Sequence, residues 1–217
     1  MRTKHRHPAN WQYHRAVHRA GISGVTNLPE SPTRPTPIRS SAVGPPVGVI
    51  VGSIAKDSTN RALARRIAER AEGVLALTEV PIIDLPLYDY GVDEAFPPVA
   101  VEFKRRVEAV DTLLFVTPEY NRSIPGSLKN ALDWGSRPWG DNSFAGKRAA
   151  IVGTGLNSAG TAVAQSQLRG ILGYLGAQLI SVTEVCLPWT TDLLEQEATR
   201  AILDGFIAEL RSGTQHG

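Results

Sequence analysis

From Val47 onward, short apolar runs alternate with amphipathic stretches, and this alternation leaves few folds open. VGVIVGS (47–53) is continuously apolar up to its Gly-Ser end, the pattern of a strand buried on both faces. After a polar loop, RALARRIAERA places Leu63, Ile67 and Ala71 on one helical face with Arg and Glu opposite. The pair of signals then recurs. VLALTEV reads as a second strand, VAVEFKRRVEAV as a helix, DTLLFVT as a third strand and PGSLKNALDW as a helix with Pro125 in its first turn. KRAAIVGTG is a fourth strand, followed by a helix over about 160–175, and AQLISVTEV is a fifth. A last helix, capped by Thr191 or Asp192, runs to about Arg211. Such alternation predicts an α/β domain, a mainly parallel sheet with helices on both faces.

Five strands in about 170 residues point to the doubly wound, flavodoxin-like order 2-1-3-4-5. In that order ligands bind beyond the carboxyl ends of the strands, between strands one and three. The loops there are GSIAKDSTN and TPEYNRSIP, with GTGLNSAGT after strand four beside them.

Residues 1–46 read differently. PESPTRPTP is a poor helix and a poor strand, and the segment is expected to be a largely disordered leader with at most a short helix near Trp11–Arg19. It carries seven Lys/Arg against Glu30 alone, a net +6, so the rest of the chain is −4. The overall pI of 8.8 therefore belongs to the leader and gives no nucleic-acid face to the body. His14 and His18 would share a helical face, but no third ligand is spaced to complete a metal site. A start assigned too early, with the working protein beginning near Val47, is an alternative reading of the leader. The body is expected to span 47–212, with a tail at 213–217. One cysteine, Cys186, excludes an internal disulfide and fits a reducing, cytoplasmic setting. No apolar stretch is long enough for a membrane span, and no secretory signal opens the chain.

The first loop is built for an anion. Ser53, Ser58, Thr59 and Asn60 offer donors, Lys56 adds charge, and Ser58 or Thr59 would sit at a helix N-terminus, where free N–H groups and the dipole favour phosphate. An ordinary N-cap with a polar loop is the plainer alternative. It is not a P-loop: Asp57 stands where Gly is needed and no Lys precedes Ser58. In the third loop, Tyr120 can wall a flat ring, and the backbone of Pro118–Asn121 can meet a heterocycle edge. A simple strand-to-helix turn would also use these residue types.

These stretches resemble the NADPH-dependent FMN reductases, a family that includes quinone, chromate and azo-dye reductases. The family pattern T-P-E-Y-N-x-S-x-P-G-x-L-K-N-A-x-D-W matches throughout from Thr117 to Trp134. DLPLYD (84–89) and AQSQLRGILGYLGA (164–177) are similar to the family as well, and the resemblance extends over about Val47–Ser212. It implies bound FMN, with Ser53, Ser58 and Asn60 toward the phosphate. Pro118, Glu119, Tyr120 and Asn121 would face the isoalloxazine, with Gly155 near its other edge. It also implies a homodimer or homotetramer. The family's first-loop Arg is Ala55 here, which moves or removes an anion contact; Lys56 is a point charge without the guanidinium fork.

The implied reaction is two-electron transfer from NADPH (or NADH) through FMN to a small acceptor: a quinone, azo or nitro compound, metal oxyanion or free flavin. The flavin supplies the chemistry, so no side-chain catalyst is required. Two alternatives share the fold. An electron carrier serving a protein partner would need no nicotinamide site, and a flavin-free small-molecule sensor is favoured only by Ala55. A yellow colour and its bleaching by NADPH separate the three.

Overall fold

The computed structural model describes residues 35–40, 43–180 and 183–215. The expected Trp11–Arg19 helix and the His14/His18 pair lie outside these residues. The apolar runs form strands β1 (Pro46–Val51), β2 (Ala76–Glu79), β3 (Thr112–Val116) and β4 (Arg148–Gly155), and the edge segments β5 (Gln178–Leu179) and β6 (Val185–Pro188). Helices α1 (Thr59–Arg70), α2 (Pro98–Glu108), α3 (Gly126–Gly135), α4 (Ala162–Tyr174) and α5 (Glu197–Gln215) connect or follow them. All the strand pairs are parallel, in the order β2-β1-β3-β4-β5, as the alternation predicts.

The central strands are buried on both faces, so successive residues feed two cores. Val47, Val49, Val51, Leu114, Val116 and Val152 pack under α1 and α5 with Leu63, Ile67, Leu203 and Phe206. Ile50, Leu113, Phe115 and Ile151 point the other way, against Phe103, Leu128, Trp134 and Leu168 of α2, α3 and α4. Each such fully buried side chain contributes about 1.5–3 kcal/mol, which fixes the register strongly.

Three expectations change. The fifth strand is broken: β5 pairs with Arg148–Ala149 and β6 with Val152–Gly155, both on the same side of β4. An edge strand bonds to one neighbour only and so tolerates an interruption. Cys186, expected just after this strand, lies within β6. The last helix starts later than its expected cap, because a 3-10 turn over Leu193–Glu195 comes first, and it runs on through Gln215 into the expected tail. Finally, the folded unit begins at Pro35, inside the expected leader. Ile38 is 2% exposed in the first core, Arg39 bridges Thr78 in antiparallel fashion, and the Ser40 N–H donates to the Leu77 carbonyl at 3.1 Å. The reading of this stretch as leader failed because its prolines precede the three residues that do the pairing. Among the described residues no helix is long and apolar enough to cross a membrane.

Candidate active site

The register brings three loops off the sheet side by side. Val51 aligns with Val116, and Val116 with Val152, so β1 and β3 give way to Gly52 and Thr117 on the level of Gly153, while β4 runs on to Gly155. The Gly52 N–H still donates to the Val116 carbonyl at 2.8 Å, and the Thr117 N–H to that of Val152 at 3.0 Å. A Cβ on Gly153 would lie 2.2 Å from the Thr117 carbonyl oxygen and 2.5 Å from Thr161 Oγ1. Only glycine lets the third and fourth loops approach this closely.

In the first loop Ser53 is buried, and its Oγ lies 3.3 Å from the Tyr120 hydroxyl, joining the first and third loops. Residues 54–57, Lys56 included, are exposed. Ser58 caps α1 by accepting the Arg61 N–H at 3.2 Å. The first-turn N–H groups of Thr59 and Asn60 have no intrahelical acceptor, and that turn contains no acid. This leaves a positive helix end open for an anion. The side chain of Asn60 has another role. Its Nδ2 donates to the Thr154 carbonyl at 2.8 Å and its Oδ1 accepts the Thr154 N–H at 3.0 Å. This buried amide clamps α1 to β4, so what Asn60 offers an anion is its backbone N–H.

The third loop is a two-residue hairpin. Tyr120 and Ser123 exchange both backbone hydrogen bonds, at 2.9 and 3.0 Å, across Asn121 and Arg122, which have φ of 52° and 62°. This is the type I′ geometry, and it explains an Asn at position 121 on conformational grounds. The Glu119 side chain, only 2% exposed, is engaged within the protein: Oε2 accepts the Val163 and Ala164 N–H groups at 3.0 and 3.1 Å, and Oε1 accepts from Arg122 at 2.8 Å. Glu119 thus caps α4 from a distant loop, because the local cap residue Thr161 makes no side-chain cap bond. From the helix side, Gln167 accepts the Ser123 hydroxyl and donates to the Arg122 carbonyl. Pro118 is buried, and Tyr120 is left half-exposed at the mouth.

The rest of the long motif is scaffold. Asn130 accepts the Tyr88 N–H and donates to the Pro86 carbonyl, which also accepts from buried Trp134. These bonds shape the loop after β2. In the fourth loop, a Cβ on Gly155 would be 2.5 Å from the Gly160 carbonyl oxygen. Four loops present apolar side chains to solvent: Ile54, Leu87 with Tyr90, Tyr120 and Leu156, with Leu87 and Leu156 both 88% exposed. Sequence reasoning missed Ile54, Leu87 and Leu156. A lone Leu inside the polar run GTGLNSAG was the available signal.

An open helix N-terminus suited to a phosphate, next to an aromatic and backbone wall with an apolar rim, fits a flavin mononucleotide. The profile of the NADPH-dependent FMN reductases matches residues 45–191. The chain belongs to this family. A Burkholderia protein named 2-hydroxy-1,4-benzoquinone reductase is 49% identical over 139 residues, covering 64% of this chain and 76% of that one. A quinone reductase of Pseudomonas putida is 39% identical over 172 residues, 76% of this chain and 92% of that one. The solved flavoenzyme NAD(P)H:(acceptor) oxidoreductase FerB of Paracoccus denitrificans superposes with a TM-score of 0.76 at 37% identity, covering 79% of this chain and 97% of that one. The FMN reductase described here is thus an NAD(P)H-dependent oxidoreductase that uses FMN.

Proposed function

We propose that this enzyme reduces small quinone-type acceptors, the compounds its relatives are named for, at the mouth formed by the first, third and fourth loops. The observation that carries the reading is the open, acid-free N-terminus of α1 beside a third loop whose side chains are anchored elsewhere. When bound, FMN supplies the two-electron chemistry between NADPH, or NADH, and the acceptor. The chain's residues bind and orient. The N–H groups of Thr59 and Asn60, with the Ser53 and Ser58 hydroxyls and Lys56, hold the phosphate. The rigid 118–121 backbone, Tyr120 and the Gly155 edge position the ring, and Ile54, Leu87 and Leu156 shield its exposed face from water. No side-chain acid or base is assigned.

A homodimer fits the groove of about 900 Å³ between α3 and α4, walled by Leu132, Ile171, Trp139 and Tyr174. Trp139 and Tyr174 are each 80% exposed in the single chain. Lys129 and Asp133 on the same wall pair with each other at 2.7 Å and give the apolar groove a polar rim. The cytoplasm, where NAD(P)H is supplied, is the compartment that suits this reading.

The test is anaerobic titration of the FMN-loaded protein with NADPH, followed by addition of a benzoquinone. Bleaching of the flavin bands and their return with quinone is the expected result. Bands that ignore NADPH and NADH but bleach with dithionite would make the chain an electron carrier instead.

A further inference from the structure

The segment 35–40 has no counterpart in the family match, which begins at residue 45, and the FerB superposition uses 97% of that chain while leaving a fifth of this one unmatched. Yet its backbone completes a buried network. The Ile38 N–H donates to Glu79 Oε2 at 2.9 Å, and the Glu79 N–H donates back to the Ile38 carbonyl at 3.0 Å. Ser40 grips β2 again: its hydroxyl donates to the Leu75 carbonyl at 2.6 Å and accepts the Leu77 N–H at 2.8 Å. Glu79 in turn holds Arg61 in a two-bond pair at 2.9 and 2.7 Å, each side chain only 6% exposed. Arg61 stands in the first turn of α1, and its N–H is the one that Ser58 caps.

A cation in the first turn of a helix opposes the dipole and is tolerated when a buried anion answers it. The Glu79 carboxylate does that, and the Ile38 N–H fixes its orientation. Arg61 Nε is buried without a hydrogen-bond partner, so the two bonds to Glu79 are what hold the guanidinium.

We infer that residues 35–40 are a positioning strap for the FMN phosphate: through Ile38, Glu79 and Arg61 they set the first turn of α1. The inference rests on the assignment of the phosphate to that turn. A chain starting near Val47 would leave Glu79 without this backbone donor.

Two full-chain variants separate packing from positioning. Ile38→Ala loses the buried side chain but keeps the N–H, whereas Ile38→Pro loses both. Two readouts are taken: the FMN dissociation constant, and hydrogen exchange at the Ser58–Ala62 amides in the apoprotein. Ile38→Ala is expected to lower the melting temperature and leave the dissociation constant within about twofold. Ile38→Pro is expected to raise that constant about tenfold, as loss of one buried bond to a charged group allows, and to speed exchange in the first turn. Glu79→Gln, which keeps the shape and removes the charge, should move both readouts the same way and serves if the proline variant does not fold. Equal behaviour of the Ala and Pro variants, with Glu79→Gln unchanged, would overturn the strap. Faster exchange with an unchanged FMN constant would overturn the phosphate assignment beneath it.

Discussion

Two helix N-termini face the same mouth and are finished in opposite ways. At α4, the carboxylate of Glu119 arrives from another loop and takes the Val163 and Ala164 N–H groups. At α1, Ser58 accepts one N–H, no acid follows in the first turn, and Lys56 just before the cap is exposed. Both ends carry the same partial positive charge. One is neutralised from within and becomes scaffold; the other is left for a ligand. The polar residues of the third loop therefore mean something different from those of the first. Glu119, Arg122 and Ser123 tie a rigid hairpin to α4, while Ser58, Thr59 and Lys56 remain available.

The sharpest way to break this contrast is at the clamp that aligns the two regions. Asn60→Ala should cost about 2–4 kcal/mol in urea unfolding of the apoprotein, because it strands a buried donor and acceptor on Thr154. A loss under about 0.5 kcal/mol would mean that the amide is free to serve the ligand. Glu119→Ala should cost about 1–2 kcal/mol by uncapping α4 while preserving the preference for FMN over riboflavin. Cys186 reports on the same end. Open helix ends depress neighbouring thiol pKa values; here burial comes first and pushes the Cys186 thiol up, with a hydrogen bond from nearby Thr161 as a smaller opposing influence. A raised thiol holds less thiolate at any pH below its titration, so alkylation at pH 8 should be slower than for free cysteine. The smallest effect belongs to exposed Lys56: Lys56→Ala should weaken FMN a few-fold at low salt, and the difference should vanish near 1 M salt.

Much of this was legible in the sequence, for a physical reason. Strands buried on both faces must be apolar throughout, so VGVIVGS and TLLFV announce themselves, and the proposal of an anion site in the first loop follows from its place after β1. What the sequence hid are pairings set by closure of the fold. Asn60 reaches Thr154 and Glu119 reaches Val163, and no local pattern says which backbone group a side chain will find. The strap was hidden by composition, because prolines at 35 and 37 mask the short antiparallel contact of Ile38–Ser40. The break between β5 and β6 was hidden by the β-branched residues Ile180, Val182 and Thr183, whose residue types read as strand across it.

The most direct test of the open helix end is Thr59→Pro, assayed for FMN and riboflavin binding side by side. Thr59 is the first residue of α1, where proline is well accommodated, and Ser58 already has the extended backbone that a following proline requires. The substitution therefore removes the Thr59 N–H, and its hydroxyl with it, and leaves the helix standing; Thr59→Val, which removes the hydroxyl alone, is the control. FMN affinity should fall about tenfold, the loss of a hydrogen bond to a charged group, with riboflavin affinity and melting temperature unchanged. If both flavins weaken equally, or neither does, the phosphate is not held by the N-terminus of α1.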